Sequence, residues 1–352
     1  MGLHSLMLFY MEEEAVKKLH VGVVGLGRLG KVHAWNIAYR IPNAELTAVC
    51  SSHAGGVEYA RQELGMEQVY ADYREMLAKA DIDAVVIVTT SSEHCWQIEA
   101  ALDAGKHVFC EKPLGVDVAQ CRQAEAAVER HPDQTFMLGF MRRYDKSYAY
   151  AKKKIQEGAI GTPYLVKATG MDPEASVQET LRYAKTSSGI FLDLGIHDID
   201  LMRWFLGSEV TEVYAMGATF KYPGFREAGD AETGAAMFRF ENGTMGMMHV
   251  GRAAPHGYHV ETEIVGTDGI LRISAVPEKN LAMVYNVNGA CTECVGSFPE
   301  RFAEAYCNEL QEFVDCALEG KQPGTTVYDG TKSTIIGYAA TEAWKTGKIV
   351  KI

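Results

Sequence analysis

The stretch Val21-Gly22-Val23-Val24-Gly25-Leu26-Gly27-Arg28-Leu29-Gly30 decides the fold of this chain. An apolar run leads directly into the pattern G-x-G-x-x-G, and residues that favour a helix follow it. In such a unit Gly25 permits a tight turn, Gly27 lets backbone N–H groups approach a pyrophosphate, and Gly30 lets helix and strand pack closely. The pattern therefore predicts a dinucleotide-binding loop, with a glycine turn required only for packing as the alternative.

Alternating apolar and helical segments surround this loop. Strand-like runs occupy residues 20–25, 46–51, 84–89, 107–110 and 135–139. Segments that favour helices lie between them, at 28–40, 57–64, 73–80, 93–104 and 118–130. Short Val/Ile-rich strands separated by helices indicate βαβ units and a parallel sheet that is covered on both faces. We therefore predict an α/β class protein with a doubly wound Rossmann domain over residues 19–140, preceded by a leader at 1–18.

The pattern changes after residue 140. Helices are predicted at 146–157, 190–205, about 300–318 and about 329–345, whereas residues 210–287 read as successive strands. Asn242-Gly243 and Asp268-Gly269 fall between such strands and favour type I′ hairpin turns, in which both residues have positive φ. The interval 141–352 is therefore expected to be an α+β domain with a large, mainly antiparallel open sheet.

Length and composition limit the class of protein. A chain of 352 residues with 47% hydrophobic and 23% charged residues is typical of a globular protein of about two domains. The formal charge of 34 − 46 = −12 disfavours nucleic acid as a partner, because binding there depends on cationic contacts to phosphate. No apolar run approaches the ~18 residues of a membrane helix. We expect no membrane association, no secretory signal and, from eight scattered cysteines, a reducing cytoplasmic location.

Candidate catalytic residues lie at two places behind the glycine loop. Lys112, in Cys110-Glu111-Lys112-Pro113, follows the run at 107–110, and ligands bind outside the carboxyl ends of strands in such sheets. Further on, Asp193, His197 and Asp200 are spaced i, i+4 and i+7, which places them on one face of a helix. A carboxylate one turn from an imidazole can orient it and raise its basicity, which suits His197 to general-base catalysis. Taken singly, Glu-Lys-Pro after a strand is most often a solvated turn, and a lone histidine on a helix is more often a core or surface residue than a catalyst.

The choice of cofactor depends on the end of the second strand. An acidic residue usually stands there to bind the ribose of NAD, but this sequence has Val49-Cys50-Ser51-Ser52-His53. Ser51 or Ser52 could hydrogen-bond a ribose hydroxyl. No carboxylate is present to repel a 2′-phosphate, and no arginine follows directly to attract one. NAD is favoured and NADP stays open.

Together these motifs make the sequence resemble the Gfo/Idh/MocA oxidoreductases over residues 19–352. The resemblance is carried by the glycines at 25–30, by Thr89-Thr90 with Glu93-His94, by Glu111-Lys112-Pro113 and by Asp193-Leu194-Gly195-Ile196-His197-Asp198-Ile199-Asp200. Gly139-Phe140-Met141-Arg142-Arg143-Tyr144-Asp145 is similar to a stretch of the inositol dehydrogenase branch. The missing acidic residue after the second strand departs from many members that use NAD.

The resemblance implies a function. It implies reversible, NAD-dependent oxidation of a ring secondary alcohol of myo- or scyllo-inositol to the inosose ketone. Lys112, Asp193 and His197 match the catalytic residues of the family. His197 would take the hydroxyl proton, Asp193 would hold its ring, and Lys112 would hydrogen-bond the oxygen that becomes a carbonyl. The resemblance also implies that residues 141–352 serve for substrate binding and oligomerisation. The protein would be a homo-oligomer, specifically a tetramer, whose subunits pair through the open sheet of this domain.

The expected binding residues form two groups, and no metal site is expected. The residues expected to bind the cofactor are Gly25, Gly27, Arg28, Leu29, Gly30, Ser51, Ser52, Thr89, Thr90, His94, Glu111 and Lys112. The residues expected to bind the polyol are Lys112, Arg142, Asp172, Asp193, His197 and Tyr258. Arg142 matches a substrate-contacting position of inositol dehydrogenases, whereas Asp172 and Tyr258 are candidates because a polyol needs several polar anchors. An aldose dehydrogenase of the same family and a non-catalytic dinucleotide-sensing regulator are the alternatives.

Overall fold

A computed structural model describes residues 17–185, 187–273, 278–287 and 289–352. Nearly all of the predicted leader lies outside these ranges. The first half contains a six-stranded parallel sheet in the order β3-β2-β1-β4-β5-β6. Its strands are β1 Leu19–Val24, β2 Ala44–Cys50, β3 Val69–Tyr70, β4 Ala84–Ile87, β5 His107–Glu111 and β6 Phe136–Gly139. The helices between them are α1 Arg28–Tyr39, α2 Ala54–Gln62, α3 Tyr73–Lys79, α4 Ser91–Asp103 and α5 Val118–Arg130.

The central strands of this sheet are buried on both faces, as the continuous apolar runs predict. All four residues of β4 are buried, and β1 lies between β2 and β4. The strand order reverses at β1, because the chain returns from β3 to pair β4 with β1. Such a switch point leaves a crevice at the carboxyl ends of the two strands, where ligands bind in open α/β sheets. The predicted doubly wound fold is confirmed.

The glycine loop has the geometry that its sequence predicts. Gly25 has a φ of +91°, which a residue with a side chain rarely adopts. A Cβ on Gly30 would lie 1.8 Å from the carbonyl oxygen of Gly25, so only glycine allows this helix-to-loop approach. A Cβ on Gly27 would have no neighbour within 4 Å, so this glycine leaves open space beside the start of α1.

The second half contains a seven-stranded sheet in the order β12-β11-β7-β10-β9-β8-β15. The strands of this half are β7 Pro163–Pro173, β8 Val210–Ala218, β9 Thr233–Phe240, β10 Met245–Ala254, β11 His259–Gly266, β12 Ile270–Ile273, β13 Glu278–Asn286, β14 Gly289–Cys294 and β15 Val350–Lys351. The helices are α6 Lys146–Gln156, α7 Val177–Tyr183, α8 Ile190–Asp193, α9 Ile196–Leu206, α10 Gly224–Glu227, α11 Phe298–Arg301, α12 Ala303–Glu319 and α13 Val327–Thr346, with 3₁₀ turns at Met141–Tyr144 and Glu174–Ser176.

The second sheet is mainly antiparallel, as predicted, but its strands are not those of 210–287 alone. Strand β7 precedes that interval and lies in the middle of the sheet, where it pairs in parallel with β10. Strand β13 falls within the interval but pairs with β14 in a separate hairpin whose side chains are largely exposed. Local alternation shows that a segment is a strand, but it does not show which strand will be its neighbour.

Both predicted hairpins form, but neither has a type I′ turn. At the β9–β10 turn Gly243 has a φ of +83°, whereas Asn242 does not have a positive φ. At the β11–β12 turn neither Asp268 nor Gly269 has a positive φ. The prediction of type I′ geometry is wrong because both loops span more than the two residues that this turn type joins.

The single helix predicted over 190–205 is broken. Helix α8 ends at Asp193 and α9 begins at Ile196. The N–H of Gly195 donates to the carbonyl of Ile190 at 3.1 Å, five residues back, so one extra residue enters the turn. The space at Gly195 is also limited, because a Cβ there would lie 2.6 Å from the carbonyl oxygen of Phe191 and 3.0 Å from Met248.

Helices from the second half pack against the first sheet, in the space between the two sheets. Leu310 and Phe313 of α12 belong to the same buried cluster as Phe109 of the first sheet. Leu192 and Ile196, at the α8–α9 break, belong to another cluster formed with the first sheet. The break therefore lies at the junction between the sheets. Within the described ranges, none of the helices is both long and apolar enough to cross a bilayer.

We predict that Gly30→Ala destabilises the protein although it lies in a helix. Alanine normally favours a helix by about 1 kcal/mol over glycine, but here its Cβ would meet backbone oxygen and force a shift that costs about 1–3 kcal/mol. Chemical denaturation of the purified variant measures the change in the free energy of unfolding. Gly55→Ala in α2 is the matched control, because a Cβ there meets nothing within 4 Å. Equal stabilisation by both substitutions would contradict the close packing of Gly30.

Candidate active site

A cavity of about 600 Å³ lies at the carboxyl ends of β1, β4 and β5, where it faces the second sheet. The glycine loop and Thr89 form one wall, and the α8–α9 break with Arg252 of β10 forms another. Lys112 also lines the cavity. Residues from both halves of the chain therefore border one space.

The glycine-loop wall fits the phosphates of a dinucleotide. Gly27, Arg28, Leu29 and Gly30 all line the cavity. Gly27 is the N-cap residue of α1 and offers no side-chain cap, and the first turn of this helix contains no acidic residue. The first N–H groups and the positive end of the helix dipole are therefore available to an anion in the open space beside Gly27.

Several residues expected to bind the cofactor do not line this cavity. Ser51 is buried and its Oγ accepts from the backbone N–H of His53 at 3.3 Å, while Ser52 is exposed. Thr90 is exposed at the start of α4, and its Oγ lies 3.4 Å from that of Ser92. His94 is buried, and its ring nitrogens lie 2.8 Å from the carbonyl of Pro113 and 3.2 Å from that of Thr89. His94 thus joins two segments of the wall from behind.

Lys112 is held on both its main chain and its side chain. Its Nζ donates to the backbone carbonyl of Asp193 at 3.2 Å, which brings the ammonium against the α8–α9 break. Its backbone N–H donates to Oε2 of Glu111 at 3.1 Å. Oε1 of Glu111 in turn lies 2.7 Å from Nε2 of the buried His33. Lys112 is therefore fixed from the first sheet while its charged end faces the second half.

The carboxylate of Asp193 binds an arginine rather than His197, which corrects the predicted pair. Oδ2 of Asp193 lies 2.8 Å from Arg252, because the extra residue in the helix break takes Asp193 and His197 off a common helical face. Burial would raise the pKa of Asp193, but Arg252 and Lys112 together hold it below its ordinary value. Asp200 also lies elsewhere, since it pairs with Arg143 at 2.8 Å. Asp193 remains ionised at the edge of the cavity.

His197 lines the cavity and is only 6% exposed. Its Nδ1 is buried without a hydrogen-bond partner in the described part of the chain. Burial and then the positive charges of Lys112 and Arg142 lower the pKa of His197 well below 6.5. The ring is therefore neutral at ordinary pH, and it can accept a proton from a group bound in the cavity.

Of the other three predicted substrate residues, two line the cavity and one lies behind its wall. Asp172 and Tyr258 line the cavity, and burial raises the pKa of Asp172 above its ordinary value and that of Tyr258 to about 12. Arg142 does not line it. Its side chain pairs with the buried Asp198 at 2.5 Å and lies 3.5 Å from the Tyr258 hydroxyl. Arg142 therefore lies behind the wall, because Asp198 and Tyr258 cover its guanidinium.

Arg252 is a charged residue that lines the cavity and is not among the residues predicted from the sequence. It is 2% exposed and lies near three carboxylates, with separations of 2.8 Å to Asp193, 3.6 Å to Asp172 and 3.8 Å to Asp230. A signal was present in β10, where Gly246, Met248, Val250, Arg252 and Ala254 all point to the buried face. An arginine in phase with the apolar positions of a strand indicates a buried charge that needs anionic partners.

Comparison with known proteins identifies the family. Residues 19–140 match the model of an oxidoreductase family with an NAD-binding Rossmann fold. Residues 148–272 match the GFO/IDH/MocA C-terminal domain. The chain belongs to the GFO/IDH/MocA oxidoreductase family. This confirms the resemblance and the predicted dinucleotide-binding fold of the first half.

Similar members of the GFO/IDH/MocA family are named as inositol dehydrogenases. The chain is 35% identical to scyllo-inositol 2-dehydrogenase (NAD(+)) of Bacillus subtilis, covering 95% of this chain and 96% of that protein. A crystal structure of scyllo-inositol dehydrogenase from Lactobacillus casei with bound NAD(H) and scyllo-inositol is 46% identical, with a TM-score of 0.92 and coverage of 95% and 99%. Myo-inositol 2-dehydrogenase of Lactobacillus plantarum is 38% identical, with a TM-score of 0.93 and coverage of 96% and 100%.

We predict that His197 titrates well below pH 6.5 in the folded protein. The unfolded chain takes up this proton near pH 6.5 and the folded chain does not, so this group makes the protein less stable as pH falls below 6.5, by about 1.4 kcal/mol per pH unit. NMR of the isotope-labelled imidazole measures the pKa. Lys112→Met should raise it by removing a nearby positive charge, whereas Lys106→Met, whose ammonium bonds the carbonyl of Ile82, should not. An unshifted imidazole in the wild-type protein would contradict this environment.

Proposed function

We propose that this protein is an NAD-dependent inositol dehydrogenase that interconverts a ring secondary alcohol of myo- or scyllo-inositol with the corresponding inosose ketone. The observation that carries the proposal is that Lys112, His197 and the start of α1 border one cavity. The named activities of the similar family members agree with it.

Residues of this chain supply a place for each part of the reaction. When bound, the nicotinamide cofactor supplies the hydride-accepting chemistry, and Gly27, Arg28 and Leu29 would hold its phosphates. His197 is neutral and accepts the proton of the reacting hydroxyl. Lys112, as an ammonium, donates a hydrogen bond to the same oxygen as it becomes a carbonyl and stabilises the negative charge that develops there.

Asp193 supports this chemistry in a different way from the one its spacing suggests. Its backbone carbonyl accepts from the ammonium of Lys112, and its carboxylate is balanced by Arg252. The carboxylate therefore remains an acceptor for substrate hydroxyls instead of orienting the imidazole. Asp172 and Tyr258 add polar groups at the same end of the cavity. A ring with a hydroxyl on every carbon needs several such anchors, because an unpaired buried polar group discriminates against the wrong isomer.

Initial rates test the reaction directly. Purified protein is mixed with NAD⁺ or NADP⁺ and each member of a panel of inositol isomers and aldoses, and the absorbance of the reduced cofactor is followed. We expect turnover of myo- or scyllo-inositol with NAD⁺. Turnover of an aldose but of no inositol would assign the protein to sugar oxidation in the same family. Binding of cofactor without turnover of any compound would support a non-catalytic regulator.

We predict that Lys112→Met lowers kcat for the inositol by about 10²–10⁴-fold, because the ammonium stabilises charge that develops only in the transition state. Cofactor fluorescence should show that NAD(H) still binds. Lys146→Met, an exposed lysine at the start of α6, is the control and should leave kcat unchanged. Unchanged turnover in Lys112→Met would remove the proposed role of this lysine.

We further propose that the protein is a homotetramer paired through the open face of the second sheet, located in the cytoplasm and active in polyol metabolism. Strands β8, β9 and β10 present a row of exposed apolar side chains on that face. They are Tyr214, Met216, Met237, Met245 and Met247. A contiguous apolar patch on a sheet face supports burial against a second copy of the chain. All eight cysteines are free thiols, which fits a reducing compartment.

We predict that Met237→Glu lowers the oligomeric state, because a carboxylate at the centre of the apolar patch must be desolvated on pairing. Met237 is 57% exposed in the single chain, so the folded subunit should tolerate the charge. Light scattering after size-exclusion chromatography measures the mass in solution. Tyr39→Glu, on α1 and also 57% exposed, is the control and should leave the mass unchanged. A tetramer that survives Met237→Glu would place the interface elsewhere.

A further inference from the structure

A buried cluster of three titratable side chains lies directly behind Lys112. It comprises His33 of α1, Glu111 at the end of β5 and Glu309 of α12, which are 0%, 5% and 0% exposed. One nitrogen or oxygen atom from each of the three lies within 4.8 Å of the others. The cluster joins the first sheet to a helix of the second half, immediately before the residue that carries the ammonium.

The bonding capacity of the cluster is unevenly used. Both carboxylate oxygens of Glu111 are occupied, one by Nε2 of His33 at 2.7 Å and the other by the backbone N–H of Lys112 at 3.1 Å. In contrast, Nδ1 of His33 and both oxygens of Glu309 are buried without hydrogen-bond partners among the described residues. Unpaired buried polar atoms cost free energy, so a proton, a water or an ion must satisfy them.

The charges of the cluster favour a proton on Glu309. Two ionised carboxylates this close together in a buried site would repel each other strongly, because the low dielectric screens them poorly. Burial, and then the negative charge of Glu111, raise the pKa of Glu309 well above its ordinary value. Glu111 is the better place for the negative charge, since its oxygens receive two hydrogen bonds and the residue borders the cavity.

The hydrogen-bond directions are then determined. A neutral His33 that donates from Nε2 to Glu111 presents Nδ1 as an acceptor. A protonated carboxyl of Glu309 is a donor, and one of its oxygens lies within 4.8 Å of a ring nitrogen of His33, a separation that one bridging water can span. Glu309 would donate to His33, His33 to Glu111, and the backbone of Lys112 would donate to Glu111 from the other side.

We propose that Glu309, kept protonated, and His33 are positioning residues that hold Glu111 as the anion against which the backbone of Lys112 is fixed. This inference deepens the proposed function and rests on it, because it concerns the placement of the proposed catalytic lysine. Nζ of Lys112 contacts the second half through its bond to the carbonyl of Asp193. A displaced Glu111 would therefore move the ammonium away from the reacting oxygen.

A metal ion is the competing occupant of the cluster. Binding one would use a ring nitrogen of His33 and one carboxylate oxygen from each of Glu111 and Glu309. It would also require Glu309 to lose its proton. A proton and a metal therefore require different forms of Glu309. A neutral amide can replace the protonated carboxyl, but it cannot replace the ionised carboxylate that a metal requires.

Infrared spectroscopy of the resting protein tests the protonation state without any turnover. We expect a band of a protonated carboxyl that shifts in deuterated water and disappears in Glu309→Gln. Absence of that band would overturn the proposal, as would a stoichiometric divalent metal that elemental analysis finds in the wild-type protein and not in Glu309→Gln. These measurements are independent of substrate, so a protein that fails to oxidise inositol would overturn the proposed function and leave them intact.

Kinetics of two variants test the positioning role. Glu309→Gln should keep kcat within about threefold of wild type, since an amide replaces a neutral acid of the same shape and can still donate. Glu309→Ala should lower kcat about 10–100-fold with little change in NAD(H) affinity, because it frees Glu111 and misplaces Lys112. Glu304→Ala, on the exposed side of α12 and paired with Arg40, is the control for that helix.

Two kinetic outcomes would overturn the positioning role. One is wild-type kcat in a folded Glu309→Ala variant. The other is a loss in folded Glu309→Gln as large as that in Glu309→Ala, which would mean that the ionised carboxylate is required. If Glu309→Ala does not fold, the Gln variant and its infrared spectrum still decide between the neutral and the ionised form.

Discussion

Three aspartate–arginine pairs, two of them with both partners buried, hold the segment from α8 to α9 in place, and the arrangement of the cavity depends on them. Asp193 pairs with Arg252, Asp198 with Arg142, and Asp200 with Arg143. The arginines come from β10 and from the turn that directly follows β6, so the pairs join this segment to the second sheet and to the connection that leaves the first sheet. Loss of one partner from a buried pair costs about 3–5 kcal/mol because the other charge remains buried. His197 therefore has little freedom to move relative to Lys112.

The same charges determine the electrostatics of the cavity. Lys112 and Arg142 disfavour a proton on His197, while Arg252 and Lys112 keep Asp193 ionised. A neutral imidazole and an ammonium consequently border the same cavity. This combination can take a proton from a hydroxyl and stabilise the oxygen that it leaves behind. The glycine loop forms another wall of the same cavity, where uncapped N–H groups and open space suit phosphate oxygens.

Particular residues show how far local sequence information extends. The tight turn at Gly25 and the close packing at Gly30 are as predicted, because both depend on backbone conformation and on neighbours a few residues away. Lys112 and His197 were also brought to one cavity as expected, since parallel strands place their carboxyl ends at one edge. The partner of Asp193 could not be predicted from spacing, because the turn at Gly195 contains one extra residue. The extra residue also explains why Asp193 does not orient the imidazole of His197, the role that the spacing of these two residues suggests.

By itself, the sequence determined the two-part architecture, the family and the loop beside which a dinucleotide would lie, since periodicity and glycine pattern are local properties of the chain. Only the tertiary structure decided which charges meet. Arg252 lies 59 positions from Asp193 in sequence, and Glu309 lies far from His33 and Glu111. Folding nevertheless brings each of them next to its partners, which belong to other helices and strands. Ion pairs and shared protons in a low-dielectric interior depend on three-dimensional separation, which no pattern along one chain specifies.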